Sequence, residues 1–324
     1  MKDLYIISTY YHALISCIKQ MRSSEKADIM VTEYIPGYRS LADKIKESGI
    51  FEFVYCVGKI NEYIPKNRLD FIFCLHRKNA YLIESQLDIS LKKYDNIHIF
   101  HDDTWFAHYL KCAGISYILT EDSLDSYKII SKTAFSHMLH KADIKAWVKN
   151  TFRIGYVFCG YDKYTKSVEV NSIDGVEIKH LAGKKLVEQP RKPMLDSLSP
   201  DELEKLKMIF LKEIPDIDYS RSVLLITQPL FEDGIVLTEE DQLRVYQNII
   251  YKYSKGYSLV VKPHPRDNAD YSCLSHDVVI LDKNMPLEII VLILNPHFAK
   301  VVSISSSCLH SIGADEYINE SIML

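Results

Sequence analysis

A chain of 324 residues, 47% hydrophobic and 25% charged, carries enough apolar material for two buried cores and has the composition of a globular protein. Its formal charge of −4 lacks the basic surplus of a general nucleic-acid binder, and no stretch approaches the ~20 uninterrupted apolar residues of a membrane span. The opening Met1-Lys2-Asp3-Leu4 lacks the pattern of a signal peptide, and the seven cysteines are scattered, odd in number and without zinc-ligand spacing, so reduced thiols, no metal and a cytoplasmic location are expected.

In chain order, strands are expected over 4–8, 29–32, 53–57, 71–75, 97–100 and 115–119, with helical periodicity between them over 38–48 and 105–113. That alternation predicts a parallel sheet covered on both faces. Tyr10, Tyr11 and His12 begin a helix where the first strand ends, on the edge at which such sheets bind ligands. His101 and Asp102 follow the strand ending at Phe100, and Glu121 and Asp122 follow the one ending at Leu119. Each is a candidate contact for a polar ligand; the other readings are a packed core residue for His12 and an N-cap of the Trp105 helix for the acids after Phe100. Residues 126–154 are helical and basic, with Lys141, Lys145 and Lys149 every four residues, which marks a solvated face or a membrane-surface contact. Residues 155–185 alternate in β fashion.

Proline and charge concentrate over 184–200, which places a boundary between domains 1–195 and 196–324. A helix over 201–214 starts at Ser199-Pro200. Strands follow near 222–227, 257–262, 278–281 and 300–304. The first runs into Pro229 and then Glu232, Asp233 and Gly234, ahead of a helix whose start carries Thr238 and Asp241 at capping spacing. The second delivers His264 between Pro263 and Pro265, whose fixed φ values leave the loop little freedom to lose. The last leads into Ser305, Ser306 and Ser307 and then a helical pattern; hydroxyls and free N–H groups there suit an anion, and N-capping is the other reading. Met285-Pro286-Leu287-Glu288 opens a further helix.

Glu232-Asp233-Gly234, His264-Pro265 and the serine run 305–307, in this order, resemble the motifs of the bacterial lipooligosaccharide sialyltransferases, glycosyltransferase family 52. The lead-in Thr227-Gln228-Pro229-Leu230, the fuller Lys262-Pro263-His264-Pro265-Arg266 and the opening Thr9-Tyr10-Tyr11-His12 are similar to that family as well, whereas residues 130–215 carry nothing of it. The resemblance implies an α/β fold of two Rossmann-like domains facing across a cleft (GT-B), acceptor-side first and donor-side second. It implies an inverting, metal-independent transfer of sialic acid from CMP-sialic acid to a galactose hydroxyl, α2,3, on a surface glycan such as lipooligosaccharide, O-antigen or capsule. No cofactor beyond the donor is implied. A lipid-linked acceptor, peripheral contact with the inner face of the cytoplasmic membrane and a homodimer that exchanges domains are further implications.

The leaving group of this reaction is a phosphate, so its departure calls for charge stabilisation. His264 is the expected donor to that phosphate, with Ser305, Ser306, Ser307, Lys262, Arg266 and Gly234 around it and Glu288 on the ribose. The acceptor hydroxyl needs a carboxylate to take its proton; Asp233 is the first candidate, Glu232 the second, and Asp122, where Ser123 stands in place of the glycine, the rival. Tyr10, Tyr11, His12, His101 and Asp102 are the expected acceptor contacts. The alternatives are a glycosyltransferase with another nucleotide sugar and a non-catalytic glycan-assembly subunit.

Overall fold

The computed structural model describes residues 2–123, 126–127, 143–157, 159–177, 185–211, 217–275, 277–285, 287, 290–291, 296–304, 309 and 312–321. The chain divides into two compact units, Met1–Glu202 and Leu203–Leu324.

The first unit opens with β1 (Asp3–Ile7), whose residues from Leu4 onward are buried. Thr9 then caps α1 (Tyr10–Met21), its hydroxyl accepting from the His12 N–H at 3.1 Å. After β2 (Asp28–Thr32), α2 (Tyr38–Ser48) runs between Gly37 and Gly49, both with left-handed φ (70° and 65°), a conformation that costs a glycine little. Next come β3 (Val54–Val57), α3 (Leu75–Glu84), β4 (Asn96–Ile99), α4 (Trp105–Ala113), β5 (Tyr117–Thr120), α5 (Asp143–Phe152), β6 (Thr165–Val170), β7 (Lys185–Glu188) and α6 (Arg191–Asp196). The strands form one parallel sheet in the order β3-β2-β1-β4-β5-β6-β7. Its core packs Leu4, Ile6, Ile97 and Ile99 against Phe106, Tyr109 and Leu110 of α4.

One expected strand is absent. Residues 71–74 lie in a π-helical turn, Asp70–Cys74, and Leu75 begins α3. A short apolar run does not by itself distinguish strand from helix, and here local polar groups decide. Asn67 Oδ1 accepts from the Asp70 N–H at 2.9 Å, and the Asp70 carboxylate accepts from the Lys66 N–H, the Tyr63 hydroxyl and Lys78, closing a helical start before any sheet partner is reached.

The helix α7 (Pro200–Phe210) crosses the boundary into the second unit, which holds β8 (Ser222–Ile226), α8 (Glu239–Tyr253), β9 (Ser258–Lys262), β10 (Val279–Ile280), β11 (His297–Ile304) and β12 (Gly313–Glu320). Ser199 and Glu202 start α7 with reciprocal bonds, the Ser199 N–H to Glu202 Oε2 at 2.7 Å and the Glu202 N–H to Ser199 Oγ at 3.3 Å. The sheet is parallel, in the order β10-β9-β8-β11-β12. Val223, Leu225, Leu259, Val261 and Val302 pack under Tyr246 and Ile250 of α8. The helical pattern expected after the serine run falls mostly outside the described residues; β12, from Gly313, pairs with β11 along its full length and satisfies an edge otherwise left open.

Both sheets share one plan. In each, the order reverses between the first strand of the unit and the fourth, β1 and β4 in the first and β8 and β11 in the second. This is the doubly wound Rossmann arrangement, which binds ligands outside the carboxyl ends of the strands at the point of reversal. No helix among the described residues is long and apolar enough to cross a membrane.

Candidate active site

In the second unit, β8 and β9 end side by side and deliver two loops to the carboxyl edge. Residues 229–234 fold into a tight turn, the Asp233 N–H donating to the Pro229 carbonyl at 2.9 Å and the Gly234 N–H to the Phe231 carbonyl at 2.9 Å. Gly234 closes it at φ 69°, with open space where a Cβ would stand, so backbone conformation alone favours glycine there. The His264 loop folds beside it. The Arg266 guanidinium donates to both Asp233 oxygens, at 2.7 and 3.3 Å, and Glu232 Oε1 accepts from the Asn268 backbone at 3.0 Å and its amide at 3.3 Å. The acidic-acidic-Gly and His-Pro segments are thus one structure, joined by side chains two and four residues beyond His264.

His264 itself is half-buried. Its Nδ1 accepts the Arg266 backbone N–H at 3.1 Å, which places the proton of the neutral ring on Nε2. Burial, and then the charges of Arg266 and Lys262, hold its pKa below the ordinary histidine value. It therefore stands as a neutral N–H donor that an arriving dianion would make easier to protonate. Lys262, expected among the donor contacts, is buried beneath the loop and donates to the Pro263 carbonyl at 2.8 Å and the Lys283 carbonyl at 2.9 Å.

Four residues that the motifs did not single out for a role hold this loop in place. Asp267 is buried and accepts from Thr227 Oγ1 at 2.7 Å, Gln242 Nε2 at 2.9 Å, the Tyr271 hydroxyl at 2.5 Å and the Ala269 N–H at 3.0 Å. Thr227 in turn accepts the His264 N–H at 3.2 Å, and Gln242 Oε1 accepts the Phe231 N–H at 2.8 Å. One buried carboxylate therefore fixes both loops. Thr227 and Asp267 border the motif segments in sequence; Gln242 and Tyr271 carry no local signal.

The first unit has its own polar cluster at its point of reversal. His12 is fully buried at the start of α1 and stacked on Phe100, ring centroids 4.2 Å apart. The Ser8 backbone N–H donates to His12 Nδ1 at 3.2 Å, so the neutral ring carries its proton on Nε2 and donates to Asp122 Oδ1 at 2.7 Å. His101 Nε2, from beyond β4, meets the same oxygen at 3.0 Å. Burial lowers the His12 pKa to about 4 against the pull of Asp122. For His101, burial is outweighed by the bond to Asp122 and the charges of Asp122, Asp103 and Asp102, and its pKa rises. Burial likewise works to raise Asp122, and the bonds from His101 and His12 overcome it and hold the carboxyl below its usual range. The result is an ionised Asp122 braced by a neutral imidazole and a readily protonated one.

The nearest ligand atoms of His12, His101 and Asp122 lie within 4.8 Å of one another, a spacing compatible with a cation. For Nε2 of His12 to offer a lone pair, however, Ser8 would have to give up its hydrogen bond, so this wiring suits proton donation better.

The remaining candidates separate. Asp102 is buried and its carboxylate accepts the Cys159 and Gly160 N–H groups at 2.8 and 2.7 Å; burial raises its pKa to about 7 despite those bonds. It shapes the 159–160 turn, while Thr104 is the residue that precedes α4. Tyr10 donates to the Pro36 carbonyl at 2.9 Å, and the Tyr11 ring lies edge-on to His12. Ser305, Ser306, Ser307 and Glu288 lie outside the described residues.

Comparison with known proteins places the chain. The sequence profile described as "Glycosyltransferase family 52" matches residues 28–318. An uncharacterized protein of Haemophilus influenzae is 37% identical over 114 residues, 34% of this chain and 36% of that protein, so the match spans about a third of the relative's length. Among solved structures, an α/β-galactoside α-2,3-sialyltransferase from the luminous marine bacterium Photobacterium phosphoreum is similar at a TM-score of 0.53 and 13% identity, over 98% of this chain and 90% of that one. A UDP-GlcNAc 2-epimerase from Neisseria meningitidis is similar at 0.52 and 15%, over 95% and 79%. At such identities the likeness is one of fold, and it agrees with two Rossmann-like units. The match across nearly the whole length, together with the two motif loops converging on one sheet edge, identifies the chain as a member of glycosyltransferase family 52.

Proposed function

We propose that the chain transfers sialic acid from CMP-sialic acid to a galactose hydroxyl of a bacterial surface glycan, with inversion, α2,3 linkage and no metal requirement. The observation that carries this reading is the joining of Glu232-Asp233-Gly234 to the His264 loop through Arg266 and Asn268. In the reaction the bond from the anomeric carbon to the CMP phosphate breaks as the bond to the acceptor oxygen forms, and the hydroxyl proton passes to a carboxylate.

The second unit takes the donor. His264 Nε2 has no partner among the described residues and donates to the departing phosphate, with Arg266 adding positive charge beside it. The serines 305–307 contribute oxygen contacts and Glu288 the ribose contact. The first unit takes the acceptor through Tyr10, Tyr11 and His101.

Asp233 is the proposed base, held in place by the Arg266 fork, with Glu232 bracing the loop through Asn268. A second reading gives the proton to Asp122. The specific observation behind it is that both imidazoles bind one oxygen of Asp122, leaving Oδ2 without a partner among the described residues, whereas Arg266 occupies both oxygens of Asp233.

Calorimetric titration with CMP, UDP and GDP tests the donor. Binding of CMP in preference to the others, in chelator and weakened in His264→Ala, supports the reading. Preference for UDP or GDP would sink it in favour of another nucleotide sugar, and binding of none would favour a non-catalytic role.

A further inference from the structure

Arg191, the first residue of α6, is 2% exposed, and Nε, Nη1 and Nη2 of its guanidinium are all buried with no partner among the described residues. Its backbone N–H is met, donating to Asn171 Oδ1 at 2.8 Å just beyond β6. Two other buried cations of the chain are satisfied. Lys111 donates to the Gly155 carbonyl at 2.7 Å and meets Asp162 at 3.2 Å, and Lys262 donates to two carbonyls. A guanidinium carries five N–H donors and a charge that it keeps at any ordinary pH. Taking such a charge out of water is costly unless an opposite charge and hydrogen-bond acceptors stand beside it.

The end of α1 lies against α6, where Arg22 donates to the Met194 carbonyl at 2.7 Å and to Ser197 Oγ at 2.6 Å. Beneath that contact, Lys19 of α1 is paired with Glu169 of β6, whose Oε2 also accepts the Thr120 hydroxyl at 2.8 Å. Burial, and then the positive charge of Arg191, lower the Lys19 pKa against the pull of Glu169, so the two cations are neighbours. Ser16, three residues before Lys19 and on the same face of α1, is fully buried, and its hydroxyl has no partner among the described residues either. The remaining groups of this layer do not answer Arg191. Asp3 accepts from Asn96 at 2.9 Å, faces His98 at 3.4 Å and is partly in water, and burial lowers the His98 pKa, which leaves that ring without charge at neutral pH. Lys19 and Glu169 cancel, and one buried positive charge is left over.

We propose that Arg191 holds a monovalent inorganic anion such as chloride in an enclosed site between α1, α6 and β6. One uncompensated charge calls for one negative charge, and a phosphate dianion would exceed it beside Glu169. A carboxylate carried by a peptide or a sugar has no way to a residue so deeply buried. The anion would accept from the guanidinium and complete the packing of α1 on α6. The proposal does not depend on which sugar the chain transfers.

Urea unfolding in sodium chloride and in sodium gluconate tests it. Equal ionic strength keeps screening the same, and gluconate is too large to enter. For an anion bound only by the folded chain, each tenfold rise in chloride beyond half-saturation is expected to raise the folding constant about tenfold, with no such rise in gluconate. Arg191→Met, which keeps the bulk and removes the charge, is expected to lose the chloride dependence and to be at least as stable as the wild type in gluconate. Bromide in crystals of the wild type is expected to give an anomalous-scattering peak beside the guanidinium, a readout that needs no variant to fold. Wild-type stability indifferent to the choice of anion, a chloride dependence that persists in Arg191→Met, or the absence of a bromide peak at Arg191 would each overturn the proposal.

Discussion

Arg266 grips both carboxylate oxygens of Asp233, at 2.7 and 3.3 Å, across 33 residues of sequence, and so ties the two motif loops of the second unit into one surface. The pair is partly exposed, so its effect on stability is expected to stay below ~1 kcal/mol. Its effect on turnover is expected to be larger. Arg266→Lys keeps a charge but loses the fork, and transfer should fall about tenfold or more. Steady-state kinetics beside thermal melts checks this: a melt shifted in proportion to the lost activity would reduce the pair to a structural brace.

Removing the imidazole from the second unit is expected to cost about 10² to 10⁴ in kcat, the range of a positioned proton donor. His264→Ala should melt close to the wild type, because the buried Asp267 anchors the loop and the one backbone N–H that the ring accepts, that of Arg266, is exposed and can turn to water. His264→Gln retains an N–H and should recover part of the loss, whereas equal rates in the three proteins would remove the residue from the chemistry.

Asp267→Ala strands four donors, those of Thr227, Gln242, Tyr271 and the Ala269 N–H, in a buried place. At ~1–3 kcal/mol for each unsatisfied group, a loss of about 3 kcal/mol or more is expected. Urea unfolding measures it. A loss within ~0.5 kcal/mol, the range of ordinary surface substitutions, would mean that the loops do not rest on this carboxylate.

His12 makes stability pH-dependent in the first unit. Its folded pKa, about 4, lies below the ordinary 6.5, so as pH falls the unfolded chain takes the proton first. Stability from this group is complete above pH 6.5 and is lost as pH falls towards 4, by about 3 kcal/mol in all. Asp122, held below its usual range, extends the loss to lower pH. Urea midpoints of wild type and His12→Gln across this window check the sign. The variant keeps an N–H but no titrating ring, and it should show a flatter acid limb above pH 4.

Much of the fold is legible in the sequence because β1, β8 and β9 are buried on both faces and read as short apolar runs ended by Ser8, Thr227 and Pro263. The π-turn at Asp70–Cys74 is not, since its apolar run matches a strand until Asn67 and Asp70 begin a helix. Nor is β12, where Ala314, Tyr317 and Ile318 are too few to announce a strand and the edge of β11 supplies the reason for one. In the site, the order of the motifs points to Asp233 and His264. The bracing by Gln242 and Tyr271 is invisible before folding, as is the pairing of His12 with Asp122 across 110 residues, because each depends on which strand ends become neighbours.

The most direct test of the account is release of CMP from CMP-sialic acid with a β-galactoside acceptor, in chelator, by the wild type, His264→Ala, Asp233→Ala and Asp122→Ala. The account predicts chelator-resistant transfer that is lost in His264→Ala, and loss of transfer with donor binding intact in Asp233→Ala or, on the second reading, in Asp122→Ala. Absence of CMP release by the wild type, or full activity in His264→Ala, would contradict it.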